Sequence, residues 1–202
     1  MSDSNGLRHG VIVLAAGASK RLGQPKQLLQ VDGETLVHRA VRFSLETKPV
    51  ECIVIGGDNV DQIAQAVSNL ACRCLPCPDS GLGMSASLRF GLEAVHPLCD
   101  GALIVLTDQP ALDAKHLCAL RDRWVNAPTH AVASGYAGTV GVPALLPRTW
   151  FAAIQSQQGD QGARDILRAR HDEVEVVDAP QLARDIDKPE DFAQLNSRRD
   201  AP

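Results

Sequence analysis

Small residues followed by two cations come directly after the first apolar run of the chain. The residues concerned are Leu14, Ala15, Ala16, Gly17, Arg21 and Lys26. Small side chains let backbone N–H groups approach an anion closely, and Arg and Lys add charged donors. The pattern predicts a loop that binds a polyphosphate, with a solvated surface turn as the alternative. A Walker motif does not fit, because Leu22 stands where its second glycine belongs.

Carboxylates occur at two places where they could hold a divalent cation. Asp108 follows the apolar run 102–106, and Pro110 ends that segment. Asp185 and Asp187 are two residues apart, so they share one side of an extended segment. Mg²⁺ and Mn²⁺ favour protein carboxylates together with substrate oxygens. We therefore predict a metal site at Asp108, completed by Asp187 or Asp185, with turn or helix-capping roles as the alternative.

A third polar segment, 81–87, is rich in glycine and serine. It matches the dinucleotide fingerprint G-x-G-x-x-A formally, but two prolines precede it, so no strand feeds the loop as that fingerprint requires. A nucleophile elbow is incomplete because Ser87 replaces the closing glycine. We predict instead a loop in which Gly83 precedes a helix, and in which Ser85 and Ser87 contact a base or ribose.

Composition excludes several classes of protein. The chain has 202 residues, a formal net charge of −4 and a pI near 5.8, so it lacks the basic excess of a nucleic-acid-binding protein. No apolar stretch reaches the ~20 residues of a membrane span, and the run 11–16 is too short for a signal peptide. We expect a cytoplasmic protein of one domain, monomeric or weakly self-associating. Cys72, Cys74 and Cys77 lack a nearby fourth zinc ligand, so we interpret Cys72 and Cys74 as small hydrophobes on one strand face.

Short apolar runs alternate with amphipathic stretches along the first two thirds of the chain. Apolar runs bounded by turn residues predict strands, and apolar residues at helical spacing predict helices. The predicted strands are 10–15, 52–55, 71–75, 102–106 and 131–134. The predicted helices are 34–45, 60–70, 85–95 and 113–124, the last capped by Asp113. This rhythm predicts a three-layer α/β fold with a mostly parallel sheet, and it places ligands at the carboxyl ends of the strands.

The last third of the chain is less regular. The segment 138–147 favours a short strand, 163–169 a helix and 174–177 a strand, and Asp187 is placed to begin a final helix. Arg164 follows a glycine-framed turn, where it is a candidate to bind an anionic second substrate, with a surface role as the alternative.

The loop Leu-Ala-Ala-Gly-x-Ser-x-Arg-x-Gly-x-x-Lys at 14–26, which continues as Gln27-Leu28-Leu29, resembles the signature of Rossmann-like nucleotidyltransferases. These enzymes share the nucleotide-diphospho-sugar-transferase fold. Further segments resemble one branch, the molybdenum cofactor cytidylyltransferases. They are 83–88, 108–110, 141–145, 159–164 and 185–191. The resemblance runs from about residue 10 to about residue 196, and the combination is far more specific than the first motif alone.

This resemblance implies transfer of CMP from CTP to the terminal phosphate of molybdopterin bearing molybdenum, with release of pyrophosphate. The Gly17 loop, Arg21 and Lys26 would hold the triphosphate. Asp108 would bind Mg²⁺ or Mn²⁺, with Asp187 and Asp185 facing the metal. The nucleotide part would span about 10–110 and the acceptor part about 111–196. Candidate acceptor-binding residues are Gln109, Gly141, Pro143 and Arg164.

Two other functions stay open at this point. A related transferase could use GTP or another phosphorylated acceptor, although Ala15-Ala16-Gly17 resembles the cytidine branch rather than the guanosine branch. A non-catalytic carrier could instead hold the cofactor and pass it to a client molybdoenzyme. Catalysis is favoured over the carrier, because a pure carrier needs no metal-binding carboxylates.

Overall fold

A seven-stranded sheet forms the centre of the computed structural model, which describes residues 6–17, 23–156, 162–185 and 191. The strands are β1 (His9–Ala15), β2 (Gln30–Val31), β3 (Glu34–Thr35), β4 (Glu51–Gly56), β5 (Arg73–Pro76), β6 (Gly101–Leu106), β7 (Ala131–Tyr136), β8 (Thr139–Pro147) and β9 (Val174–Asp178). Strands β2 and β3 form a separate short hairpin, and the others form the sheet in the order β5-β4-β1-β6-β8-β7-β9.

The strand order reverses at the centre of the sheet. The chain runs from β1 outwards through β4 to β5 and then returns to β6 on the other side of β1, with all of these pairings parallel. Strand β8 runs antiparallel to both of its neighbours, β6 and β7. In open α/β sheets the crevice at such a reversal is where ligands bind. The carboxyl ends of β1 and β6 are therefore the expected position of the site.

Helices cover both faces of the sheet. They are α1 (Leu36–Leu45), α2 (Val60–Ala66), α3 (Met84–Ala94), α4 (Ala114–Asn126), α5 (Phe151–Gln155) and α6 (Ala163–Ala169). Helices α1, α2 and α4 pack on one face, and α3, α5 and α6 on the other. Within β1, Ile12 and Leu14 face the helices α3, α5 and α6, while Val11 and Val13 face the helices α1, α2 and α4. The three-layer, mostly parallel α/β prediction is confirmed, and strands buried on both faces explain the uninterrupted apolar runs.

Local signals placed several elements correctly. The side chain of Asp113 accepts from the backbone N–H of His116, which confirms the predicted cap of α4. Cys74 lies in β5 and Cys72 lies just before it. Both pack against the same core, as predicted, while Cys77 packs on the opposite face of the sheet. The sheet therefore separates the Cys77 thiol from the thiols of Cys72 and Cys74, which contact each other.

Several predicted boundaries were wrong. The strand expected at 71–75 is β5, which begins only at Arg73. The helix expected at 34–45 begins only at Leu36, because Glu34 pairs with Val31 in the short hairpin. The helix expected at 60–70 ends at Ala66. Val67 and Leu70 continue the apolar spacing of the helix, but the backbone there forms turns instead. The strand expected to be short at 138–147 is the nine-residue β8. The predicted final helix beginning at Asp187 lies outside the described residues.

No helix in the described ranges is long and apolar enough to cross a membrane.

Candidate active site

A cavity of about 310 Å³ opens at the carboxyl ends of β1 and β6. Its wall includes Leu14, Ala16, Gly17, Lys26, Gly83, Ser87 and Asp108, all of which were predicted site residues. A second cavity of about 370 Å³ shares Ala16 and Gly17 with the first and extends towards Asp58 and Asn59. The fold therefore brings the basic loop, the serine-bearing helix and the strand-end carboxylate to one cleft.

An ion pair joins the two charged residues of this cavity. Lys26 Nζ donates to Asp108 Oδ2 at 2.6 Å, with the two side chains only 17% and 13% exposed. Lys26 lies in a single 3₁₀ turn, Lys26–Leu28, that follows Pro25, and Asp108 lies two residues after the end of β6. The separation of 82 residues in sequence is closed by the sheet, which sets β1 beside β6.

The second oxygen of Asp108 suits a divalent cation. Oδ1 is buried and has no hydrogen-bond partner among the described residues. A buried carboxylate oxygen is costly unless something satisfies it, and hard cations such as Mg²⁺ and Mn²⁺ favour such oxygens. The described residues contain no cluster of three His, Cys, Asp or Glu that could hold a metal by itself. A cation at Asp108 would thus depend on oxygens supplied by substrate or by residues such as Asp187, which lies outside the described ranges.

The remaining predicted nucleotide residues have different positions. Ala15 is buried and packs into the core beneath α1 and α4, while Ser85 is 2% exposed within the first turn of α3. Gly83, which precedes α3, has a φ of +103°, a value that favours glycine. Arg21 lies outside the described residues.

A hydrogen-bonded network lies on the side where we expected the acceptor. Strand β8 carries two extra residues against β7, because the register shifts from Ala133 opposite Ala144 to Ser134 opposite Gly141. The extra residues are Val142 and Pro143, joined by a cis peptide bond. Bulges of this kind locally disrupt the ladder and re-aim the chain, often beside active sites.

Side chains donate hydrogen bonds to both carbonyl groups of this bulge. Val142 O accepts from Gln109 Nε2 at 3.1 Å and from Tyr136 Oη at 2.8 Å. Pro143 O accepts from Ser134 Oγ at 2.6 Å. Gly141 packs so closely beneath Tyr136 that a Cβ there would lie 2.5 Å from the hydroxyl. The bulge is thereby fixed beside Gln109, the neighbour of Asp108.

A buried histidine extends the network. His116 Nε2 lies 2.8 Å from Ser134 Oγ, and because that hydroxyl donates to Pro143 O, it accepts from Nε2–H. Burial lowers the pKa of His116, and the charge of Asp113 opposes this in part. The lowered pKa favours the neutral ring, which this arrangement uses. His116 therefore has a structural role in holding the bulge.

The other predicted acceptor and metal residues are not gathered at the cavity. Gln109 is only 4% exposed, and its side chain is hydrogen-bonded to Val142 O rather than open to the cleft. Arg164 is exposed in the first turn of α6, and Asp185 is exposed after the 3₁₀ turn Pro180–Ala183. Neither lines the cavity at Asp108.

Sequence reasoning missed several residues of the cleft. Gln27, Ser80, Met84 and Thr107 line the first cavity, and Asp58 the second. Asp58 follows the buried strand β4, so the rule that ligands bind at strand ends could have identified it. Gln27 belongs to the segment that resembles the family signature, but no local pattern indicated its role, because its hydrogen bonds reach 10 and 12 residues back along the chain.

Comparison with known families gives one match that covers most of the chain. The model of the MobA-like NTP transferase domain matches residues 11–174. Among curated proteins, purine catabolism protein PucB of Bacillus subtilis is 27% identical over 90% of this chain and 92% of its own length. Nicotine blue oxidoreductase of Paenarthrobacter nicotinovorans is 30% identical over 91% and 94%. Molybdenum cofactor cytidylyltransferase of Escherichia coli is 26% identical over 93% and 95%.

Solved structures are similar over nearly the whole chain. Rv0371c of Mycobacterium tuberculosis superposes with a TM-score of 0.82 at 28% identity, covering 96% of this chain and 98% of that one. A complex of Rv0371c with manganese has a TM-score of 0.73 at 26% identity, covering 93% and 97%. The 4-diphosphocytidyl-2C-methyl-D-erythritol synthase of Anaerococcus prevotii, at 14% identity, TM-score 0.77 and 96% coverage of both chains, shares the fold.

Proposed function

This chain belongs to the MobA-like NTP transferase family and is a nucleotidyltransferase, and from that premise we propose that it transfers CMP from CTP to molybdenum-bearing molybdopterin. The acceptor atom is an oxygen of the terminal phosphate of molybdopterin, and pyrophosphate is released. The observation that carries nucleotidyl transfer is the Lys26–Asp108 pair in the wall of the cavity between β1 and β6.

The reaction requires positioning rather than a proton-transfer dyad. The nucleophile is already a phosphate anion, so no general base has to create it. Its oxygen forms a bond to the α-phosphorus of CTP while the bond from that phosphorus to the bridging oxygen of pyrophosphate breaks. The protein must bring two anions together and stabilise the charge on the leaving group.

The residues of the cavity suit these tasks. The ammonium group of Lys26 can leave Asp108 for the triphosphate oxygens, where it would offset their charge. The loop at Ala16 and Gly17 has side chains small enough to let phosphate approach the backbone. Asp108, together with Asp187 or Asp185, would hold Mg²⁺ or Mn²⁺, and the metal would supply further neutralisation of phosphate charge.

Two observations support the choice of donor and acceptor. The segments 83–88, 141–145 and 185–191 resemble the molybdenum cofactor cytidylyltransferases, and the named Escherichia coli relative is similar over almost the whole chain. Every described residue lining the first cavity falls between 14 and 108, which supports a nucleotide part at about 10–110. We place the acceptor in the part at about 111–196, beside the bulge of β8.

Pyrophosphate release tests this proposal. Purified protein is incubated anaerobically with CTP, Mg²⁺ and molybdenum-bearing molybdopterin, and the expected products are pyrophosphate and the cytosine dinucleotide. Parallel reactions contain GTP, or a different phosphorylated acceptor. Release only with GTP would reassign the donor, and release only with another acceptor would reassign the substrate. Cofactor binding with no pyrophosphate from either nucleotide would support a carrier and contradict catalysis.

A further inference from the structure

A buried glutamine lies directly beneath the loop that lines both cavities. Gln27 is 1% exposed, and its Nε2 donates to Ala15 O at 2.8 Å and to Gly17 O at 2.7 Å. The two carbonyl groups flank Ala16, which lines both cavities together with Gly17. One amide group therefore fixes the backbone of this loop from below.

Only a side chain with two donors can make this arrangement. Both N–H bonds of the carboxamide are used, one for each carbonyl. A methionine has nearly the same volume but donates neither bond, and a glutamate would set acceptor oxygens against two carbonyl oxygens. Without the donors, the loop must move to find other partners or keep two poorly satisfied carbonyl groups.

The same glutamine also fixes the position of the lysine. Lys26 and Gln27 are adjacent in the single turn Lys26–Leu28, so a shift of one shifts the other. A Cβ on Gly17 would lie 3.7 Å from Gln27 Nε2 and 3.9 Å from Lys26 Cε, so the loop and the turn are in ordinary contact. The hydrogen bonds of Gln27 thus link the β1 loop to the turn that brings Lys26 to Asp108.

The other end of the carboxamide indicates that its role is specific. Gln27 Oε1 is buried and has no hydrogen-bond partner among the described residues. A buried acceptor left in this state opposes folding, and an apolar side chain of the same volume would avoid that cost. The compensating feature is the pair of bonds to the loop, which an apolar side chain cannot provide.

We propose that Gln27 is a positioning residue for the polyphosphate of the nucleotide: it holds the Ala15–Gly17 backbone and the Lys26 turn in their binding geometry. This rests on the proposed function only in requiring that the cavity bind a nucleoside triphosphate. The identity of the acceptor does not enter.

Calorimetric titration of Gln27→Met with CTP and Mn²⁺ tests the proposal. We expect the Kd to rise by about 5- to 100-fold, the range for losing two buried hydrogen bonds that organise a site. Titration with inorganic pyrophosphate and Mn²⁺ should show a similar fold-change, because the effect concerns the phosphates. Gln27→Glu should bind more weakly than Gln27→Met, since a carboxylate would face both the carbonyl groups and the phosphates.

A matched variant controls for general destabilisation. Ser44 is also fully buried, and its hydroxyl donates to Ala40 O at 2.6 Å within α1, outside the lining of both cavities. Ser44→Ala therefore removes a buried side chain-to-carbonyl bond that does not touch the loop. Each variant is titrated at the same interval below its own Tm, and Ser44→Ala should bind CTP within twofold of wild type. If Gln27→Met does not fold, Gln27→Asn replaces it, because its shorter side chain cannot reach both carbonyl groups.

The outcomes separate this proposal from the proposed donor. A Kd for Gln27→Met within twofold of wild type overturns the positioning role, as does an equal loss in Ser44→Ala. If wild type binds GTP but not CTP, the proposed donor is wrong. The ratio of the Kd of Gln27→Met to that of wild type, measured with GTP, then tests the role of Gln27. If wild type binds neither nucleotide, both proposals fail.

Discussion

Replacing Lys26 by methionine should strengthen the binding of Mn²⁺ to the nucleotide-free protein. In the structure Lys26 holds one carboxylate oxygen of Asp108 at 2.6 Å, so a cation that binds this carboxylate must compete with the ammonium group. When a nucleotide is present, its phosphates offer Lys26 another partner. Metal and nucleotide should therefore bind with positive coupling, and Lys26 should account for part of it.

The expected increase in Mn²⁺ affinity follows from the geometry of the Lys26–Asp108 ion pair. A hydrogen bond between charged groups contributes a net ~1.5–3 kcal/mol, which corresponds to roughly 10- to 150-fold in an equilibrium constant. The side chains are 17% and 13% exposed, so solvent screens this pair only in part. The variant also removes a positive charge that repels the metal. We therefore expect the Mn²⁺ affinity of Lys26→Met to exceed that of wild type by at least about tenfold.

Titration of Mn²⁺ followed by electron paramagnetic resonance measures this affinity directly. The same variant should bind CTP more weakly, so metal and nucleotide affinities should change in opposite directions. Lys115→Met is the control, because Lys115 is exposed in α4 and lines neither cavity. A Mn²⁺ affinity of Lys26→Met equal to or lower than that of wild type would refute the competition between lysine and metal.

Three further perturbations concern the metal site, a buried histidine and a closely packed glycine. Asp108→Ala should lower metal-dependent kcat by several orders of magnitude while circular dichroism stays unchanged, and full activity would remove Asp108 from the metal site. Burial, with a smaller effect from Arg121, holds the pKa of His9 at about 4 against 6.5 when unfolded. The unfolded chain therefore binds more protons between these values, and stability should fall as pH drops from 6.5 to 4 by up to about 3 kcal/mol. Urea unfolding of His9→Gln should lose that component, and an unchanged pH profile would contradict it. Gly101→Ala should destabilise by about 1–3 kcal/mol, because its Cβ would lie 2.9 Å from a backbone oxygen, whereas Gly162→Ala meets nothing within 4 Å and should stay near wild type.

The parts of the fold that were predictable depend on local chain patterns. Strands β1, β4 and β6 are apolar runs because both of their faces are buried, and this left a clear signal in the sequence. The site at their carboxyl ends followed from the same parallel topology, which is why Asp108 and Lys26 could be expected to lie at the same edge of the sheet. Their actual contact was not predictable, since it depends on the turn that begins at Pro25.

The parts that were not predictable depend on contacts between distant residues. Strand β8 contains one glycine and two prolines, which favour turns locally, yet pairing with β6 and β7 extends it to nine residues. Hydrogen bonds from the side chains of Gln109, Tyr136 and Ser134 hold its bulge. No helical or strand periodicity in the sequence relates these residues to the bulge. The polar Gln27 gave no sign of burial, because its partners are the carbonyl groups of a folded loop.

Calorimetry can show whether the cleft between β1 and β6 binds CTP with a divalent cation. The full chain is titrated with CTP and, separately, with GTP, each with and without Mg²⁺. We expect binding of CTP that depends on Mg²⁺ and exceeds the binding of GTP. Preference for GTP would contradict the assigned donor, and the absence of binding by either nucleotide would contradict the role of the cleft itself.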